Sequence, residues 1–143
     1  MALYDQLGGR AGLTMLAHSF YGEILATPSL APFFEKMNMD AQERMFGNFL
    51  EKLLLLDSEQ DLSDYVFYIE KKHAHLHQYG LNEAHIDLFF KILTSNVRYN
   101  LNQASVYGSS QNLDVEYYIV QLKRRLEIFR PALLNPSSEH HMT

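Results

Sequence analysis

Arg10-Ala11-Gly12-Leu13-Thr14-Met15-Leu16-Ala17-His18-Ser19-Phe20-Tyr21-Gly22-Glu23-Ile24-Leu25-Ala26 is the stretch that decides the architecture. Leu13, Leu16, Ala17, Phe20 and Ile24 recur at i, i+3, i+4, i+7 and i+11, which draws one apolar stripe down a helix. The same period returns further along. Gln42, Phe46, Phe49 and Leu53 form a second stripe, with Leu50 and Leu54 beside it. Ile86, Phe89, Phe90, Leu93 and Val97 form a third, and Val115, Tyr118, Ile119, Leu122, Leu126 and Phe129 a fourth. No segment of useful length alternates with the period of two that a half-buried strand requires. The pattern predicts an all-α chain with about six helical segments.

Boundary signals divide these stripes. Pro28 and Pro32 stop a long helix, so Thr27 to Met39 should hold turns and short helical pieces. Asp40, with Glu43 three residues on, resembles a capping box for the next helix. Residues Asp57 to Asp61 are polar and read as a connector, and Ser63 to Leu76 reads as helix. Gly80 breaks that helix and Asn82 can cap its successor. Ser105 to Gln111 reads as loop, and Pro131 should end the last helix or follow its end. One domain over residues 1–134 is expected, followed by a mobile tail over 135–143.

Composition narrows the function classes. The chain has 143 residues, 47% apolar and 20% charged, which suits one folded domain and excludes a disordered chain. Twelve Lys and Arg against 17 Asp and Glu leave a net charge of −5, so no basic field attracts a nucleic-acid backbone. Without cysteine there is no disulfide, thiolate nucleophile or Cys-based metal site. The apolar run Leu53 to Leu56 is too short to span a membrane, and Met1 to Asp5 lacks the marks of a signal peptide. A cytoplasmic location is the expectation.

Seven histidines stand out, three of them in Lys72-His73-Ala74-His75-Leu76-His77. On a helix only His73 and His77 share a face, so the run does not converge on one ion. With Ile69 set at zero and about 100° per residue, Leu62, Tyr65, Val66 and Leu76 gather around it. His73 falls near +40° in that frame, inside the apolar stripe, and His75 near −120°, on the solvent side. An imidazole within such a stripe is either a core histidine bonded to a carbonyl or a ligand to something buried beside it. A polar helix end, with imidazoles opposing the negative dipole, is the alternative for the run as a whole.

Leu3-Tyr4-Asp5-Gln6-Leu7-Gly8-Gly9-Arg10, then Ser19 to Ala26, then Leu30-Ala31-Pro32-Phe33-Phe34, resembles the truncated haemoglobins, closest to group I in this N-terminal half. The likeness runs on to Leu50 and returns at Gly80-Leu81-Asn82-Glu83-Ala84-His85-Ile86-Asp87, which resembles the start of that family's sixth long helix. The resemblance implies a globin-like, two-over-two helical sandwich holding haem b (iron protoporphyrin IX). It implies that Gly8-Gly9 turns the first short helix onto the second, and that Phe34 stacks against the haem. Tyr21 matches the distal tyrosine, and Gln42 a second polar residue facing the same gas ligand. Phe46, Phe49, Leu81 and Ile86 are expected at the cofactor, with Arg44 or Met45 at the position from which a lysine often reaches a propionate. The metal ligand is expected at His73, with His75 and His77 as alternates, because the proximal segment is longer than the family pattern. His85 matches the start of the following helix.

The resemblance therefore implies oxygen binding and transport, extending to nitric oxide or carbon monoxide, with no residue assigned as catalytic. Nitric oxide detoxification would need a separate reductase. A gas sensor acting through a separate partner and a haem-free interaction protein of the same fold are the alternatives. Neither nucleic acid nor membrane is expected as a partner, and the chain is expected to be a monomer or weak homodimer.

Overall fold

A computed structural model describes residues 3–55, 59–73, 81–107 and 114–134. Among these residues are six α-helices: α1 Leu3–Gln6, α2 Gly9–Leu25, α3 Met39–Leu55, α4 Glu59–His73, α5 Glu83–Tyr107 and α6 Val115–Leu134. A short 3₁₀ helix, Ala31–Phe34, lies between α2 and α3, and no strand occurs among the described residues. The α2/α3 and α5/α6 pairs pack most closely, α2 crosses onto α5, and α4 lies against α6. This is the expected two-over-two arrangement. No helix among the described residues is long and apolar enough to cross a membrane.

The α1–α2 corner shows how local chemistry sets the layers. Gly8 and Gly9 take φ values of 94° and 65°, a left-handed backbone that side chains disfavour. The chain can then reverse within two residues, with Gly8 N–H donating to the Asp5 carbonyl at 3.1 Å. Gly12 is as important: a Cβ there would overlap the Leu7 carbonyl oxygen. From this corner α2 buries Leu13, Leu16, Ala17, Phe20 and Ile24, as its stripe predicts, and Tyr21 with them.

Four boundaries differ from expectation. Asp40 does not cap α3; Asn38 does, its Oδ1 accepting the Ala41 N–H at 3.1 Å. Asp40 instead occupies the first turn, where the helix dipole favours a carboxylate. The polar Glu59-Gln60-Asp61, read as connector, is the first turn of α4. Gln60 and Asp61 are exposed, and Gln60 donates to Asp64 one turn on at 3.0 Å. The helix α5 runs through Ser105 to Tyr107 before the glycine-bearing stretch, and the rest of that expected loop lies outside the described residues. Pro131 lies inside α6. Its missing N–H forfeits one helix bond, but Ala132 is buried and Leu133 and Leu134 pack on the core, which carries the helix onward. Leu76 and the tail 135–143 also lie outside the described residues.

The Asn82 cap is as expected, and reciprocal. Its Oδ1 accepts the His85 N–H at 3.2 Å, while His85 Nδ1 accepts the Asn82 N–H at 3.1 Å. Arg125 closes the other end of α3 by donating to the Leu53 carbonyl at 2.7 Å, satisfying an end-of-helix acceptor.

Candidate functional site

Tyr21 is the centre of the site. Its place in the α2 stripe turns it inward, where it is only 3% exposed. Burial removes the solvation a phenolate needs and pushes its pKa up to about 12; the Gln42 hydrogen bond opposes this and the nearby Glu43 carboxylate adds to it. Tyr21 is thus a neutral phenol at physiological pH. Gln42, in the first turn of α3, donates from Nε2 to the Tyr21 hydroxyl oxygen at 3.0 Å. That bond occupies an oxygen lone pair, and the hydroxyl's own hydrogen finds no acceptor among the described residues. A buried donor left in this condition is costly unless something accepts from it.

Aromatic rings surround this donor. The Phe20, Phe34 and Phe46 rings meet the Tyr21 ring edgewise at centroid distances of 5.1, 5.3 and 5.4 Å. Phe89 of α5 closes the group, 6.0 Å from Phe34 and 6.4 Å from Phe20. Phe49 continues the wall, stacked on Phe46 at 5.6 Å and edge-on to Phe129 at 5.2 Å. Of the residues expected at the site, Tyr21, Gln42, Phe34, Phe46 and Phe49 come together in this way. Leu81 and Ile86 are buried in the core at the start of α5. Arg44 is exposed on the outer surface of α3, and Met45 is 46% exposed. His85 packs edge-on to Phe33 at 5.0 Å and serves the α5 cap, as expected. His73 is the last residue of α4, one turn beyond the buried Ile69. His75 and His77 lie outside the described residues.

Two further rings contribute that no motif in the sequence marks as site residues. Phe20 and Phe89 belong to the apolar stripes of α2 and α5, and both wall the site. Adjacency to Tyr21 is the one cue for the first; Phe89 comes from α5, far from Phe34 in sequence, and has none. Beside the Tyr21–Gln42 bond, His18 Nδ1 and Glu43 Oε1 stand 3.0 Å apart and tie α2 to α3.

No protein-family model and no curated protein matches this sequence. Among solved structures it is similar to the 2/2 haemoglobin of Synechococcus sp. PCC 7002 in the cyanomet state with covalently attached haem. The two are 20% identical, the match covers 94% of this chain and 99% of that one, and the TM-score is 0.66. A second structure, the globin of the same organism at cryogenic temperature with haem modification, is 21% identical over the same shares, with a TM-score of 0.63. With α2 on α3, α5 on α6 and almost the whole of both chains superposing, this chain has the fold of the 2/2 haemoglobins.

Proposed function

We propose that this chain binds haem b and holds a diatomic gas, dioxygen first, beside Tyr21. The observation that carries this reading is the buried Tyr21 hydroxyl, fixed by Gln42 and left with a hydrogen to donate inside an aromatic box. The residues suit the group in kind: aromatic rings to wall a flat macrocycle, a neutral phenol donor among them, and a histidine at the end of α4. When bound, the haem supplies a ferrous centre that takes a diatomic ligand. Tyr21 would donate a hydrogen bond to a ligand held beside it, an interaction that burial of the donor strengthens. Gln42 turns the hydroxyl hydrogen away from itself and toward the ligand, while Phe34 and Phe46 keep water out. His73 is the residue proposed to hold the iron, with His75 and His77 as alternates, and Arg44 is proposed to meet a propionate. Oxidation of nitric oxide with a separate reductase, signalling through a separate partner, a cytoplasmic location and a monomeric or weakly dimeric state belong to the same proposal.

One observation favours the haem-free reading: Phe20 and Phe46 stack at 4.5 Å and Phe49 stacks on Tyr65 at 6.0 Å, so the rings pack well on one another. Spectra of the purified protein after haem addition decide between the two. A strong Soret band, with the ferrous spectrum altered by one of His73→Gly, His75→Gly or His77→Gly, is the expected result. Absence of that band refutes haem binding.

A further inference from the structure

The seam between α5 and α6 holds a groove of about 420 Å³ that shares no residue with the Tyr21 site and is large enough for a small molecule. Four cations line it, Lys91 and Arg98 from α5 and Lys123 and Arg130 from α6. The two arginines are neutralised. Arg98 donates to both carboxylate oxygens of Glu116, at 3.0 and 3.2 Å. Arg130 meets Asp87 at 2.8 Å across the seam and Glu127 at 2.8 and 2.9 Å on its own helix, its guanidinium 5.2 Å from the centre of the Phe90 ring. The two lysines are not neutralised: among the described residues neither makes an ion pair or a hydrogen bond, and Lys123 acts on Glu116 only through space.

Helical spacing makes this arrangement unusual. Asp87 stands four residues before Lys91 and Glu127 four after Lys123, the separation at which opposite charges on one helix pair. Arg130 takes both of those carboxylates, so the lysines lose the partners nearest to them in the chain. Two cations thus stay uncompensated on one groove in a chain with 17 acidic residues against 12 basic ones. Register brings them face to face. The helices run antiparallel, since Arg98 meets Glu116 at the start of α6 and Asp87 meets Arg130 toward its end. Lys91 lies seven residues before Arg98, and Lys123 seven after Glu116. Two turns along each helix from the Arg98–Glu116 pair, about 10 Å, therefore set the lysines level across the seam. Ser95, one turn after Lys91, also lines the groove, and its hydroxyl bonds nothing else among the described residues. Phe90 and Leu126 supply apolar lining.

We propose that this groove binds a phosphate monoester with a small apolar body, its phosphoryl group held between Lys91 and Lys123 with Ser95 donating to a third oxygen. Such a group carries a charge of about −1.5 to −2 near neutral pH, which matches two ammonium groups, and its three terminal oxygens match the three donors. The groove is larger than a phosphate ion, and the remaining space, beside Phe90 and Leu126, takes the organic part. Both ends of the groove are already charge-balanced by their arginine–carboxylate pairs, so nothing there attracts a second phosphate. That selects a monoester over a polyphosphate or a nucleic-acid strand. The site stands on α5 and α6 alone and does not depend on haem.

Phenyl phosphate and inorganic phosphate are titrated separately into isotope-labelled protein at constant ionic strength, and amide NMR shifts are followed along both helices. Saturable shifts centred on residues 91–95 and 123–126 are expected. Phenyl phosphate should bind roughly 5-fold tighter than inorganic phosphate, because its ring covers apolar lining. Lys91→Gln and Lys123→Gln should each weaken phenyl phosphate binding about 5-fold or more, since each removes a charge-assisted bond. Lys52→Gln, which takes the same charge from the exposed side of α3, should leave it unchanged. An equal loss in Lys52→Gln would make the binding a response to net charge and overturn the proposal. Absence of saturable shifts at these residues, or inorganic phosphate binding as tightly as phenyl phosphate, overturns it as well.

Discussion

Tyr21 places a hydroxyl in the interior, with only 3% of the residue exposed. Tyr21→Phe keeps the ring contacts with Phe20, Phe34 and Phe46 and removes only the donor. A hydrogen bond to a charged acceptor is worth about 1.5–3 kcal/mol, so dioxygen should leave the variant roughly 10- to 100-fold faster. Carbon monoxide, which gathers less charge, should be affected less; stopped-flow release rates of the two gases check this. The same residue sets a pH dependence. Its folded pKa of about 12 lies above the ordinary phenol value of 10, so folding favours the protonated form. Its contribution is complete below pH 10 and declines as pH rises toward 12, by up to about 3 kcal/mol. Denaturant unfolding across that window should show the decline, with a shallower slope in Tyr21→Phe. Equal slopes in the two proteins would mean that the phenol ionises as it does in solvent.

At the scale of elements, two helical glycines separate packing from propensity. Gly12 has the Leu7 carbonyl where a Cβ would go, and that carbonyl belongs to a corner already held by Gly8 and Gly9. Gly12→Ala should therefore cost about 1–3 kcal/mol, as overpacking against backbone does. Gly22, on the exposed side of α2, has nothing within 4 Å of its added Cβ. Gly22→Ala should stabilise by up to about 1 kcal/mol through helix propensity alone. Thermal melts of both variants test the pair. The elements themselves were legible because each long helix buries one stripe, and burial demands a period. Their ends were harder to read. Glu59 to Asp61 is polar for the same reason that any outer turn is, and Pro131 is carried within α6 by the packing of residues beyond it. In the site, Tyr21, Gln42 and Phe34 were legible through motifs near one another in the chain. Phe89 was not, because only the crossing of α2 and α5 brings it to Phe34.

For the whole molecule the question is what an inserted macrocycle does to a bundle that already packs. The core shared by α2, α3, α5 and α6 includes Leu13, Ile24, Leu50, Leu101, Leu122 and Phe129, all at most 1% exposed, so the layers do not depend on a cofactor to meet. A ligand that binds only the folded state adds stability by mass action, about 2.7 kcal/mol at a free concentration 100 times its dissociation constant. In a chain of this size that corresponds to a melting temperature raised by roughly 10 °C. Under the haem-binding proposal the stacked rings of Phe46, Phe49 and Tyr65 on α3 and α4 would have to yield to admit the group, whereas the α1–α2 corner is held by its own backbone bonds. Hydrogen exchange should accordingly slow on haem addition in α3 and α4 and stay nearly constant in α2. A melting temperature indifferent to haem, with exchange unchanged in every helix, would leave the aromatic interior as a packed core and favour the haem-free interaction protein.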